Sequence, residues 1–408
     1  IVQSLSNSAL TWETTTSTDI GLELGVLDGR LTFETDWYNK VTDGILYKSP
    51  VYATIGNKSA PYQNLCEVTN TGLELTLGWK DDIKDFHYGI TANFTRNWNV
   101  VSKYKGRLEA GWVTDENGNR SYKSNIGDVT TAVGNARRVM EGKLINEFYL
   151  LDTYSGNGSH FFADGSVNPA GGPKDGMIRT PEDMLWLQAM NESGATFLPN
   201  KTIGKKGIWY GDYIYADANG DGVYGDVNDY MFTGTSMTPK FYYGIQFELG
   251  WKGIDFSMLW NGSGGAQCYW RYVGFNAYST GGNFTLPKKI AYDHYFYDPE
   301  NPEDPRTNIT SKHARLTMNY GSEQNDGQCA SKLFLYDTDY LRLKNLTLGY
   351  TFPQKWMKKI SVSDFRLFFS GENLLTFTKY PGMDPEISDT MNYYALLRQY
   401  SFGLSLKF

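Results

Sequence analysis

No stretch of this sequence approaches the roughly 20 consecutive apolar residues that a membrane-crossing helix requires, so a helical membrane protein is excluded. Cysteine is scarce. Cys66, Cys268 and Cys329 form an odd, sparse set that cannot be a disulfide framework. One pairing stays open, because Cys268 and Cys329 flank a single long connection. The four histidines, His87, His160, His294 and His313, lack metal-ligand spacing and read as structural or surface residues. Basic runs are missing and the net charge is -7, which excludes a nucleic-acid partner. There is no Gly-x-Ser-x-Gly elbow, no His-Glu-x-x-His and no phosphate loop, so no enzyme is expected. Acidic residues are plentiful, yet spacing alone singles out no glycosidase pair. The sequence opens Ile1-Val2-Gln3 with no signal segment. An exported protein carries one, so the chain reads as the later part of a longer protein.

What is present favours strands and turns. Glycine numbers 43 against 14 prolines, and aromatics make up 15% of the 408 residues. Alternating segments recur. Ile20, Leu22, Leu24 and Val26 oppose Gly21, Glu23 and Gly25, and a tight Asp28-Gly29 turn leads into Leu31, Phe33, Thr35 and Trp37. The final segment sets Tyr400, Phe402, Leu404, Leu406 and Phe408 against Ser401, Gly403, Ser405 and Lys407. Nine strands are predicted, near 18–27, 30–41, 70–80, 86–101, 239–251, 254–262, 338–352, 362–375 and 394–408. In the seventh, the apolar set changes parity near Lys344-Asn345, which predicts a bulge.

The connections carry more information than the strands. Those at 27–29, 81–85, 252–253 and 353–361 are short, whereas those at 42–69, 102–238, 263–337 and 376–393 are long. Short turns at one end and long loops at the other are the pattern of an outer-membrane β-barrel. A strand with one apolar and one polar face fits a wall between lipid and an aqueous lumen. The fold class expected is therefore all-β, a transmembrane antiparallel β-barrel in a lipid bilayer, with long extracellular loops. Nine is an odd count, and an open barrel would leave raw edges in lipid, so preceding strands are expected to complete it.

Two features of the long connections are candidate sites. Asp217-Ala218-Asn219-Gly220-Asp221-Gly222 places oxygen ligands at positions 1, 3 and 5 with glycine at 6, the opening of an EF-hand-type calcium loop. The carboxylate of Asp229 falls one residue past position 12. Bound Ca²⁺ would use Asp217, Asn219, Asp221, the Val223 carbonyl and Asp229. The competing reading is an Asx-Gly turn cluster without metal. Aromatics gather at Trp209, Tyr210, Tyr213 and Tyr215 and again at Tyr269, Trp270 and Tyr272. As stacking platforms, Trp209, Tyr210, Tyr213, Tyr215, Trp270 and Tyr272 would bind substrate; as loop packing or an interfacial belt, they would not.

Three stretches resemble one family. The first is Leu10-Thr-Trp-Glu13 leading into the Leu27-Asp-Gly-Arg30 hairpin. The second is the acidic loop followed by Gly234-Thr-Ser-Met-Thr-Pro239-Lys-Phe-Tyr-Tyr-Gly244. The third is Tyr340-Leu-Arg-Leu-Lys-Asn-Leu-Thr-Leu-Gly-Tyr350, with Gly371-Glu-Asn-Leu-Leu-Thr-Phe-Thr-Lys-Tyr380 and Asp384-Pro-Glu386. Together they resemble the C-terminal part of SusC-like (SusC/RagA) TonB-dependent outer-membrane transporters. The resemblance implies a barrel of about 22 strands with a plugged lumen, of which this chain would hold roughly the last nine. The plug, the TonB-binding segment and the earlier strands would lie outside it. It further implies active import of oligosaccharides, or of peptides by the same mechanism, with a SusD-like surface lipoprotein as lid and energy supplied through the TonB complex. A dimer of transporter–lid pairs is the implied assembly. A passive outer-membrane channel and a secreted glycan-binding protein or hydrolase are the alternatives.

Overall fold

The computed structural model describes residues 7–48, 61–270, 286, 288–318, 329–387, 394 and 396–408. Its frame is one antiparallel sheet of nine strands, each hydrogen-bonded to its neighbour in the chain. They are β1 (Thr14–Val26), β2 (Leu31–Lys48), β3 (Tyr62–Ile83), β4 (Phe86–Lys103), β5 (Phe241–Trp251), β6 (Ile254–Gly264), β7 (Tyr340–Thr351), β8 (Asp364–Thr378) and β9 (Gln399–Lys407). The alternation of short and long connections is weaker than the sequence predicts: residues 49–61 join β2 to β3, and residues 352–363 join β7 to β8. At one end, β1–β2, β3–β4 and β5–β6 join through turns of two to four residues. Lys252 and Gly253 both take positive φ, at 47° and 89°, the conformation a two-residue turn needs to match strand twist.

Register sorts the side chains by face. Leu24 pairs with Phe33, Phe33 with Leu77, and Leu77 with Ala92, all on one face. The other face carries Glu34, Asp36, Glu74, Gln246 and Asp255. Among the described residues nothing covers the apolar face: Leu22, Leu77, Ile90, Leu249, Leu348, Leu367 and Leu404 are all exposed. An apolar surface this extensive on a sheet is the lipid face of a barrel. Aromatics band its two ends, with Trp79, Phe86, Trp251 and Phe365 near the short turns and Trp98, Trp260 and Phe377 toward the long loops. The expected bulge is present. Lys344 is the extra residue opposite β6, between the Leu343–Trp260 and Asn345–Leu259 pairs.

The strands β2 and β3, of 18 and 22 residues, exceed the roughly 9–11 that a tilted membrane strand needs. Both run further than the sequence suggests, to Lys48 and from Tyr62. In that extension the sheet's inner face turns apolar. Cys66, Val68 and Val101 are buried together with Val139 from the long connection. The loops thus begin to fold onto the sheet before the strands end.

The connection from 104 to 240 is itself folded. It contains a hairpin (Ala110–Thr114 with Arg120–Ser124), a four-stranded antiparallel sheet of short segments around Glu147–Leu150, and helix α1 (Pro181–Glu192). Thr180 starts the helix. Its hydroxyl accepts from the Asp183 N–H while the Asp183 carboxylate accepts from the Thr180 N–H, and Pro181 needs no partner at the first position. Trp186, Leu187 and Met190 face a core that also takes Tyr154, Phe197 and Tyr224, together with Ile290, Tyr295, Ala314 and Phe334 from the next long connection. Two sequence-distant loops therefore share one hydrophobic core. None of the three cysteines forms a disulfide, so Cys268 and Cys329 are not bridged.

Candidate functional site

The two long connections are fixed to each other by polar contacts around the shared core. Arg315 donates from Nε and Nη2 to the two carboxylate oxygens of Asp212, at 2.9 and 3.0 Å. Asp212 is fully buried. Burial raises its carboxyl to about 6 against the pull of Arg315. Arg179 donates to the carbonyls of Ile309 and Ser311, both at 2.7 Å, and the Tyr213 hydroxyl donates to the Lys312 carbonyl at 2.8 Å. The Tyr295 hydroxyl donates to the Arg179 carbonyl. Gly211 lies against the second connection, its carbonyl accepting from the Arg315 N–H. Its φ is +86°, and a Cβ there would lie 2.4 Å from the Tyr295 ring.

This juncture opens into a cleft of about 650 Å³, within the range of small-molecule sites. Trp209 and Tyr210 form one wall, and Tyr292, Tyr295, Phe296 and Tyr297 the other. Trp209 meets Tyr210 edge to face with centroids 5.0 Å apart, and Tyr210 meets Tyr297 in the same way, also at 5.0 Å. Arg306 lies over the Phe296 ring at 4.6 Å and forms a bidentate pair with Asp304. Among the described residues, the Trp209 indole N–H and the hydroxyls of Tyr210 and Tyr297 have no hydrogen-bond partner.

The candidate residues divide accordingly. Trp209 and Tyr210 line the cleft. Tyr213 and Tyr215 are not part of its lining: both are buried in the loop layer, and the Tyr213 hydroxyl donates to the Lys312 carbonyl. An amphipathic ring next to a large core is drawn in, and spacing in sequence carries no signal of that. Trp270 packs on Tyr336 and Tyr380 in a separate aromatic group. Tyr272 lies outside the described residues. Sequence reading passed over the second wall, although the signal was there: four aromatics fall within residues 292–297.

In the acidic loop, Asp217 accepts from the N–H groups of Gly220, Asp221 and Gly222 at 2.7–3.1 Å. Asn219 and Asp221 each accept from the N–H two residues on. Asp229 accepts from Ala218, Gly225 and Asp226 at 2.7–3.0 Å. It is 1% exposed, and burial raises its carboxyl to about 6 in spite of these amides. Among the described residues no three His, Cys, Asp or Glu side chains converge as metal ligands. The side-chain oxygens face the loop's own backbone.

A second buried charge cluster stands on the inner face, where β7 meets the last long loop. Arg342, 2% exposed, contacts Asp384 at 2.8 Å, Glu386, and the Thr376 hydroxyl at 3.0 Å. The Tyr340 hydroxyl donates to Glu386, and Lys344 lies 3.6 Å from it. The third family-like stretch and Asp384-Pro-Glu386 are therefore two halves of one contact.

Residues 2–174 match the family model described as TonB dependent receptor-like, beta-barrel. Over its full length the chain is 27% identical to TonB-dependent receptor P3 of Formosa agariphila, covering 35% of that protein. It is 23% identical to TonB-dependent receptor SusC of Bacteroides thetaiotaomicron, over 98% of this chain and 32% of that one. A solved structure of the RagAB peptide transporter superposes on 98% of this chain and 36% of its own, with a TM-score of 0.66 at 20% identity. The chain thus spans about a third of the length of the curated relatives it matches. Fold and matches together point to one class: residues 2–174 fit the β-barrel of TonB-dependent receptors, and the whole chain is similar to outer-membrane receptors of that kind. Within that class, the similarity runs to the SusC/RagA kind.

Proposed function

We propose that this chain is part of an active outer-membrane importer of oligosaccharides. It would work with a SusD-like surface lipoprotein as lid and draw energy through TonB by way of a segment outside this sequence. The observation that carries the reading is the asymmetry of the sheet's two ends: three tight turns and one short helical connection on one side, and on the other a folded loop layer containing an aromatic cleft. A passive pore needs no such layer; capture of a ligand before passage does. Peptide import by the same mechanism is the second reading, supported by the likeness in fold to RagAB, a peptide transporter. No bond in the substrate is broken in either case, because the work is gating.

Cells lacking the full-length gene would be grown on defined oligosaccharides and, separately, on peptides as sole nutrient. Loss of growth on one oligosaccharide, restored by the gene only when TonB is present, supports the proposal. Loss of growth on peptides alone favours the second reading. Uptake independent of TonB overturns both.

We also propose that the acidic loop takes Ca²⁺ through Asp217, Asn219, Asp221, the Val223 carbonyl and Asp229. The donors are all oxygen, as a hard cation requires. A carboxylate oxygen that accepts one amide proton keeps a second lone pair, so the amide contacts do not exhaust the set. Equilibrium dialysis that finds no bound Ca²⁺ at millimolar concentration overturns this assignment.

A further inference from the structure

We propose that the cleft between Trp209 and Tyr297 binds one or two units of an uncharged oligosaccharide, outside the lumen. This binding would serve the import proposed above as first contact for the passing chain, and it rests on that reading. Three observations converge. The walls are lined by aromatic rings, and a pyranose ring stacks its C–H face on such surfaces. Among the described residues, the Trp209 N–H and the hydroxyls of Tyr210 and Tyr297 lack partners. Groups of this kind at a cleft wall suit a ligand dense in hydroxyls, each of which both donates and accepts. The guanidinium groups that line the cleft are already neutralised. Arg306 is bidentate to Asp304, and Arg315 to Asp212. A uronate, sulfate or peptide carboxylate would have to displace one of these carboxylates, whereas a neutral sugar finds the charges balanced.

The test uses the full-length transporter, purified in detergent with whatever lipoprotein accompanies it. Isothermal titration is run with maltohexaose, cellohexaose, mannohexaose and xylohexaose, and with a neutral hexapeptide of similar size. Three variants are compared. Trp209→Ala removes a stacking face. Tyr297→Phe removes one hydroxyl and keeps the ring. Trp356→Ala, at the short-turn end, serves as control. At least one hexasaccharide is expected to bind. Trp209→Ala should weaken it roughly tenfold, Tyr297→Phe about fivefold, and Trp356→Ala not at all. Because Tyr297→Phe leaves the packing intact, a loss there cannot come from misfolding. The proposal is overturned if no hexasaccharide binds, if all variants bind like the parent protein, or if the hexapeptide binds as tightly through the same residues. Normal TonB-dependent uptake with unaltered binding in the variants would sink the cleft and leave the importer standing. Binding without uptake would do the reverse.

Discussion

Burial holds the Asp229 carboxyl near pH 6, and that single value gives the acidic loop a pH dependence. The folded-state value lies above the ordinary 3.8, so the folded protein holds this proton more tightly than the unfolded chain does. The stability it contributes appears as pH falls through about 6 and is complete below the ordinary value. Thermal unfolding of the parent protein should therefore gain on an Asp229→Asn variant between pH 7 and pH 4. A constant gap between the two would contradict the assignment. A bound Ca²⁺ competes with that proton. If the loop takes the ion, 1 mM Ca²⁺ should raise the unfolding temperature at pH 7.5 and do less at pH 5. Asp217→Ala should abolish the difference.

At the scale of elements, the strands were readable because the sheet separates lipid from water, and period-two alternation records that directly. The reading fails where the separation ends. In β3, Cys66 and Val68 are apolar on the face that is polar lower down, because the loop layer covers them. The alternation cancels there, and the strand reads as loop. The cleft was half legible. Trp209 and Tyr210 stood out as a cluster, but their partners are more than 80 residues away, and only the loop fold brings the two groups together. The segments of that fold are too short to show periodicity. Helix α1 is the exception, since Thr180-Pro181-Glu182-Asp183 carries its start signal. The family-like stretch on β7 was legible as a motif, but its purpose was not. Arg342→Ala leaves Asp384 with no guanidinium in a buried site, and breaking such a pair costs on the order of 3–5 kcal/mol. Limited proteolysis should then cut the segment 379–387 at least tenfold faster. Arg342→Lys should rescue only part of this, because an ammonium cannot span Asp384, Glu386 and Thr376 at once. Unchanged cleavage in both variants would show that the last loop is held some other way.

For the whole molecule, the decisive fact is that, among the described residues, β1 and β9 are the two edges of the sheet, each paired with a strand on one side. Every residue of β1 is exposed. Backbone groups left open in hydrocarbon cost several kcal/mol each, so these edges must be met by strands from outside the 408 residues. Expressed alone, the chain is therefore expected to aggregate and to give no heat-modifiable band in detergent electrophoresis, while the full-length protein gives one. A folded, heat-modifiable product from the 408 residues alone would overturn the partial-barrel account.

The core shared by the two long loops also bears on how the protein reaches its folded state. The Lys332 N–H donates to the Leu151 carbonyl across 181 positions, and Tyr213 reaches Lys312 across 99. Contacts between such distant positions form slowly, because a long loop must close before any of them is rewarded. The hairpins of the sheet are local by comparison. The loop layer is thus expected to set last, after β6 and β7 have paired, and to leave a period in which the wall stands complete while its mouth is still unformed.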